Sequence, residues 1–238
     1  MKDKLKSLII HPDFKRRTGD FICNFTAVVL GILITFAGTD WIEERKTDKE
    51  VKDALSLVKD EMLINRERIK EMMEDEVFQQ RGALYLLHYK DSLHKAPSDS
   101  LEKYCNFTFQ SRGELYINDA MEMLKTSSLM PAIQDKRLAT QIIKTYNTIK
   151  TAYASYDTFT DTKIADVQRL IEQPKVQDFL DKNKDYSPAE LWDLLFQSPG
   201  GVQCLRQISF MHTHPAKMYG EYLKQIDETV AAIEDIYK

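Results

Sequence analysis

Met211-His212-Thr213-His214-Pro215 places two imidazoles two residues apart beside a thioether, a donor set suited to zinc or copper. On an extended segment such neighbours share a face, whereas on a helix they point apart. A zinc centre takes three or four ligands, and neither an HExxH pair nor paired CxxC motifs accompany these histidines. They therefore read as surface or helix-end residues, and no metal or cofactor is expected. Carboxylates crowd at Glu71, Glu74, Asp75 and Glu76, a run that reads as solvated charge on a helix, since acid–base catalysis needs paired acids in contrasting environments. No GxSxG, P-loop or Rossmann fingerprint occurs, and the serines near Ser127 have no recognisable base. The expectation is a protein that is not an enzyme; a metal-dependent hydrolase built on the two histidines is the weakest reading.

Other residue patterns speak to recognition. Tyr146, Tyr153, Tyr156 and Phe159 stripe one long helical pattern; such stripes are core packing with phenol oxygens at the rim, or else the wall of a groove between helices. Cys23, Ala27, Gly31, Thr35 and Thr39 recur every four residues, a small-residue ladder that admits the close approach of a second helix in a membrane. Asn24 lies beside its start, placed to hydrogen-bond across such a contact. Cys105 and Cys204 are about a hundred residues apart; in an oxidising compartment they pair or stay as two separate buried thiols, and the second reading is preferred.

The ladder belongs to the segment that organises the chain. Nineteen residues without formal charge separate Asp20 from Asp40, and ten of them are Phe, Ile, Val or Leu. A helix of that length rises about 28 Å, close to the roughly 30 Å hydrocarbon layer of a bilayer. A transmembrane helix over 20–41 is therefore expected, with Trp41 as interfacial anchor. A cleaved signal peptide ending near Ala37 is the competing reading, weakened by the long preceding segment and the charged helical pattern that follows at once. Lys2, Lys4, Lys6, Lys15, Arg16 and Arg17 precede the span and Arg45, Lys46, Lys49 and Lys52 follow it, so residues 1–19 are expected as a short basic cytoplasmic tail and the rest outside the cytoplasm.

Across the 238 residues, 33 Lys and Arg face 37 Asp and Glu, a net charge of −4 that argues against nucleic acid as partner. Seven Pro, eight Gly and scarce period-two alternation predict an all-α fold. After the span, Val51, Leu55, Val58, Met62, Asn65, Ile69 and Met72 form a seam at steps near three and four, predicting a stalk helix over about 42–75 with the pairs Glu61/Asn65 and Arg66/Lys70 on its wet faces. Three heptads are few for a long coiled coil, so the seam is expected to pack within its own domain. A separate helix through Tyr85, Leu86 and Tyr89 is predicted, then one over Glu114 to Lys125. Leu138, Ile142, Tyr146, Ile149, Tyr153, Tyr156, Ile164, Val167 and Leu170 predict a long helix from about Asp135, closed by Pro174. Ser187-Pro188-Ala189-Glu190 reads as a capping box, Gly200 and Gly201 as punctuation. The last helix carries Tyr219, Leu223, Ile226, Val230, Ile233 and Tyr237, with Pro215 interrupting upstream.

The stretch VVLGILITFAGTDWIEERK, through Gly31 to Ile34, Trp41 and Glu43 to Lys46, resembles the opening of the DUF6090-like family of bacterial membrane proteins. A second stretch, Glu114 to Lys125, Thr126 to Ser128 and Asp135 to Tyr146, is similar to that family's helix, short break and further helix. Here Ser128 stands where a glycine often follows the helix. The resemblance covers about a third of the chain and implies a single-pass protein of Bacteroidota with no assigned activity.

The expected protein is thus a single-pass bacterial inner-membrane protein with its N-terminus in the cytoplasm and residues 42–238 as a periplasmic helical bundle. Its expected role is a non-enzymatic scaffold that binds a protein partner or itself as a homo-oligomer. The alternative is a ligand-sensing domain that works through a separate signalling partner, although no motif indicates a small molecule.

Overall fold

The computed structural model describes residues 12–106, 109–110 and 113–237. Among them every regular element is a helix. Helix α1 runs from Pro12 to His88, followed by a 3₁₀ turn at Leu93–Lys95, α2 at Ser98–Cys105, α3 at Asp119–Thr126 and the single turn α4 at Leu129–Ala132. The long α5 spans Lys136–Ile171; α6 is Pro174–Lys182, α7 Pro188–Leu195, α8 Pro199–Phe210 and α9 Pro215–Glu234. The chain divides into two compact units, Met1–Asp53 and Ala54–Lys238.

The first unit is the opening part of α1. Its apolar side chains have no protein to pack on: Phe25, Val28, Leu30, Ile32, Leu33, Ile34 and Phe36 are all exposed. This helix is long and apolar enough to cross a membrane, and none of the apolar stretch is buried. The basic residues Lys2, Lys4 and Lys6 and the side chains of Cys23 and Asn24 lie outside the described residues.

The second unit is a bundle built on α1, α5 and α9. Leu55, Val58, Met62, Ile69 and Met72 of α1 pack with Ile142, Ile149, Tyr153 and Tyr156 of α5 and Tyr219, Ile226 and Ile233 of α9 to make a buried core. Toward the other end, α2, α6, α7 and α8 gather around Trp192, with Leu86, Leu93, Phe159, Leu170, Val176, Leu195 and Leu205 in one apolar cluster. Burying side chains of this size contributes roughly 1.5–3 kcal/mol each before entropy is counted. The Trp192 indole N–H donates to the Cys105 carbonyl at 3.1 Å, tying α2 to α7.

Several element boundaries differ from the sequence expectation. The stalk and the separate helix through Tyr85 and Leu86 are one helix, because the inward spacing continues without slip through Met72, Gln79, Ala83 and Leu86. Tyr89 lies just beyond its end. The helix predicted from Glu114 begins only at Asp119, since residues 113–118 stay outside any helix with the Ile117 backbone bonded to Asn65. Pro174 opens α6 and Pro215 opens α9, each in a first turn where proline's missing N–H costs nothing. Gly200 and Gly201 sit inside the first turn of α8; a Cβ on Gly201 would meet the Leu195 carbonyl oxygen at 2.4 Å. The Ser187 capping box forms with both reciprocal bonds present. Ser128 takes φ +61° between α3 and α4, a left-handed conformation that suits glycine.

Candidate functional site

The inward face of α1 is not wholly apolar. At the seam's helical spacing it carries Glu61, Asn65, Glu76 and Gln79, all buried, and each must find hydrogen-bond partners or destabilise the fold. Glu61 is 6 % exposed. Its carboxylate accepts the Ala120 and Met121 backbone N–H groups at 2.8 and 3.3 Å and the Tyr146 hydroxyl at 2.5 Å. Those N–H groups are in the first turn of α3, whose own Asn118 forms no side-chain cap. Glu61 therefore caps α3 from another helix, where a carboxylate also complements the positive helix end.

One turn on, Asn65 holds the strap that leads into α3. Its Nδ2 donates to the Ile117 carbonyl at 2.7 Å, its Oδ1 accepts the Ile117 N–H at 3.4 Å and the Tyr153 hydroxyl at 2.9 Å. The amide thus pairs with both backbone groups of one residue, as a neighbouring strand would. Arg68 adds a bond to the Leu115 carbonyl, and Tyr116 packs on Tyr153 with ring centroids 5.4 Å apart.

Further along α1 a second group of polar side chains is joined by hydrogen bonds. Asp75 accepts Tyr156 Oη at 2.7 Å and Gln79 Nε2 at 2.5 Å. Gln79 Oε1 in turn accepts Lys163 Nζ at 2.8 Å, and the same ammonium donates to the Gln110 carbonyl. Burial lowers the Lys163 pKa, against opposing effects of Asp75 and Cys204. Glu76, fully buried, lies 2.7 Å from His212 Nδ1 and accepts Tyr219 Oη at 3.1 Å. Burial holds its carboxyl above the ordinary range, partly offset by His212 and Tyr219. Burial, reinforced by the adjacent carboxylates, likewise raises the Tyr146 and Tyr219 phenols. Gln80 donates to the His212 carbonyl at 2.7 Å, so the corner between α8 and α9 is fastened to α1 by two side chains one helical turn apart, Glu76 and Gln80.

These contacts correct two readings of the sequence. Glu61 and Asn65 are not on a wet face and Glu76 is not solvated charge: all three occupy inward positions of the helical repeat. Among Leu138, Ile142, Tyr146, Ile149, Tyr153, Tyr156, Val167 and Leu170 the stripe is buried, but Ile164 is only half-buried and Lys163 beside it takes the inward place at 1 % exposure. His212 is bound to Glu76, His214 is exposed at the start of α9, and among the described residues no three His, Cys, Asp or Glu are grouped as metal ligands. Spacing alone carried the signal for Glu61, Glu76 and Gln79, since they extend the same three-and-four pattern as the apolar seam.

The remaining expected site residues fall as follows. Val51, Leu55, Val58, Met62, Asn65, Ile69 and Met72 are all buried. In the ladder, Ala27, Gly31, Thr35 and Thr39 are exposed, and a Cβ on Gly31 would touch nothing within 4 Å. Thr35 donates to the Gly31 carbonyl at 2.8 Å and Thr39 to the Thr35 carbonyl at 2.9 Å. Trp41 is exposed and the Arg45 guanidinium lies 3.8 Å from its ring centroid. Cys105 and Cys204 are free, buried thiols, pushed by burial to about 11 and about 12, so neither is a ready nucleophile. Comparison of the chain with known protein families, with curated proteins and with solved structures finds no match.

Proposed function

We propose that this chain is a single-pass bacterial inner-membrane protein, N-terminus in the cytoplasm, whose periplasmic helical bundle serves as a non-enzymatic scaffold for a protein partner or a second copy of itself. The observation that carries the reading is the apolar first part of α1. Its side chains are exposed from Phe25 to Phe36, and the two threonine hydroxyls of the ladder are satisfied on carbonyls of their own helix, which suits a lipid environment where an unmet donor is costly. Gly31, with open space around it, leaves room for a second helix on the ladder face.

The role of the bundle is inferred from what its buried polar groups do. Glu61, Asn65 and Lys163 each make at least one hydrogen bond to a backbone group, of Ala120, Ile117 and Gln110, and so shape the connections at the bundle's surface, which supports an interaction role.

Alkaline carbonate extraction tests the anchor: the protein is expected to stay with membranes, and release would sink the reading. Topology needs an introduced thiol, because Cys105 and Cys204 are buried; an exposed Lys184→Cys is expected to react with an impermeant maleimide added outside the inner membrane. Replacing Gly31 by Leu is expected to weaken self-association in a membrane reporter assay, and an unchanged signal would remove the ladder from the proposal.

A further inference from the structure

Where α1 passes the corner between α8 and α9, an open furrow of about 570 Å³ lies between Val77, Arg81 and Leu84 of α1 and His214, Pro215 and Lys217 of the corner. That volume is within the roughly 300–1,000 Å³ typical of small-molecule clefts. Its chemistry is two-sided. Val77, Leu84 and Ala216 offer an apolar surface, and Leu84 is 51 % exposed although it is a large aliphatic side chain. Arg81, His214 and Lys217 offer cationic or protonatable groups, and no residue lining the furrow is acidic, in a chain whose net charge is −4.

These three side chains are not committed elsewhere. Among the described residues, Arg81, His214 and Lys217 make no side-chain hydrogen bond or ion pair. On α1 the neighbours of Arg81 at three and four residues are Val77, Phe78, Leu84 and Tyr85, all uncharged. On α9 Lys217 has Glu221 four residues on, yet no ion pair forms, whereas Lys224 and Glu228 in the same relation approach to 4.0 Å. The wall that carries His214 and Lys217 is also preformed, because Glu76 and Gln80 fix His212 at the corner. The positive end of the 20-residue α9 adds to the field there.

We propose that this furrow binds a single-chain amphiphile with a carboxylate head, a fatty-acid anion, its head held by Arg81, His214 and Lys217 and its tail lying on Val77, Leu84 and Ala216. The cations select a negative head, and a guanidinium fork matches the two oxygens of a carboxylate. The exposed leucine selects an apolar tail. The inference goes beyond the scaffold reading and does not depend on the membrane anchor.

The test uses the full chain in nanodiscs of zwitterionic lipid, titrated with laurate by calorimetry with empty discs subtracted. Saturable binding is expected, at least about tenfold tighter than acetate, which lacks the tail, or dodecanol, which lacks the charge. Arg81→Gln and Lys217→Gln are each expected to weaken laurate about three- to tenfold, as loss of one charged hydrogen bond at an exposed site does, and added salt should weaken the wild type more than the double variant. All of these changes are at exposed positions, so an unaltered melting temperature checks the fold. The proposal is overturned if laurate gives no saturation above empty discs, if acetate or dodecanol matches it, or if the double variant binds like the wild type.

Discussion

Replacing Glu61 by Ala removes the acceptor that three buried donors share. Two are the second and third N–H groups of α3, at 2.8 and 3.3 Å, and the third is the Tyr146 hydroxyl at 2.5 Å. Losing a helix N-cap costs about 0.5–2 kcal/mol, and stranding a buried hydroxyl costs about 1–3 kcal/mol. Relief from burying the carboxylate opposes both, so a net loss of about 2–4 kcal/mol is expected, a large part of the roughly 5–15 kcal/mol that holds a typical domain together. The measurement is urea unfolding of the full chain in a non-ionic detergent, followed by the fluorescence of Trp192, which is fully buried and bonded to Cys105. Tyr146→Phe removes only one of the three bonds and is expected to cost about 1 kcal/mol. In the double variant the two losses should fall short of additivity by about 1 kcal/mol or more, because both act on one contact. A Glu61→Ala protein within 0.5 kcal/mol of wild type, a margin about the size of an ordinary surface substitution, would refute the assignment of Glu61 as the cap of α3.

Three further outcomes are expected. Burial raises the Glu76 carboxyl above its unfolded value of 4.5, so the folded state binds the extra proton; the stability this group contributes is complete below that value and is lost as pH rises through the folded pKa. Stability measured across that window should therefore decline with pH more steeply in wild type than in Glu76→Gln, and equal slopes would contradict it. Gly201→Ala should destabilise by about 2 kcal/mol or more, since its Cβ would meet the Leu195 backbone oxygen at 2.4 Å; Gly200→Ala, which meets the movable Leu170 Cδ2 at 2.9 Å, should cost clearly less in the same urea titration. Ser128→Gly should stabilise by about 1 kcal/mol, because it relieves a left-handed conformation at φ +61°, and a lower urea midpoint would be the contrary result.

How much of this was legible in the sequence depended on whether a signal was local. The Ser187 to Glu190 box needs only four residues, and it forms as read. The α5 stripe is periodic over many turns and shows in burial. Prolines 174 and 215 were legible as boundaries but not in sense, since proline can follow one helix or begin the next and only tertiary context decides. The start of α3 was hidden altogether: Glu114 to Asn118 has a helical composition, and its Ile117 backbone is instead bonded to Asn65, 52 residues away in sequence.

The same long-range logic links the buried seam to the molecule's surface. Glu61 and Asn65 fix the strap before α3, Lys163 fixes Gln110, and Glu76 and Gln80 fix the corner that begins α9. A half-satisfied polar network is less stable than either a complete one or an apolar core. A change at Glu76 therefore reaches beyond stability: it loosens the corner that presents His214 and Lys217 to the furrow. Glu76→Leu, which fills the site but offers His212 and Tyr219 no acceptor, should weaken laurate binding without touching any lining residue, and unchanged affinity would mean that the corner holds its shape without the buried carboxyl.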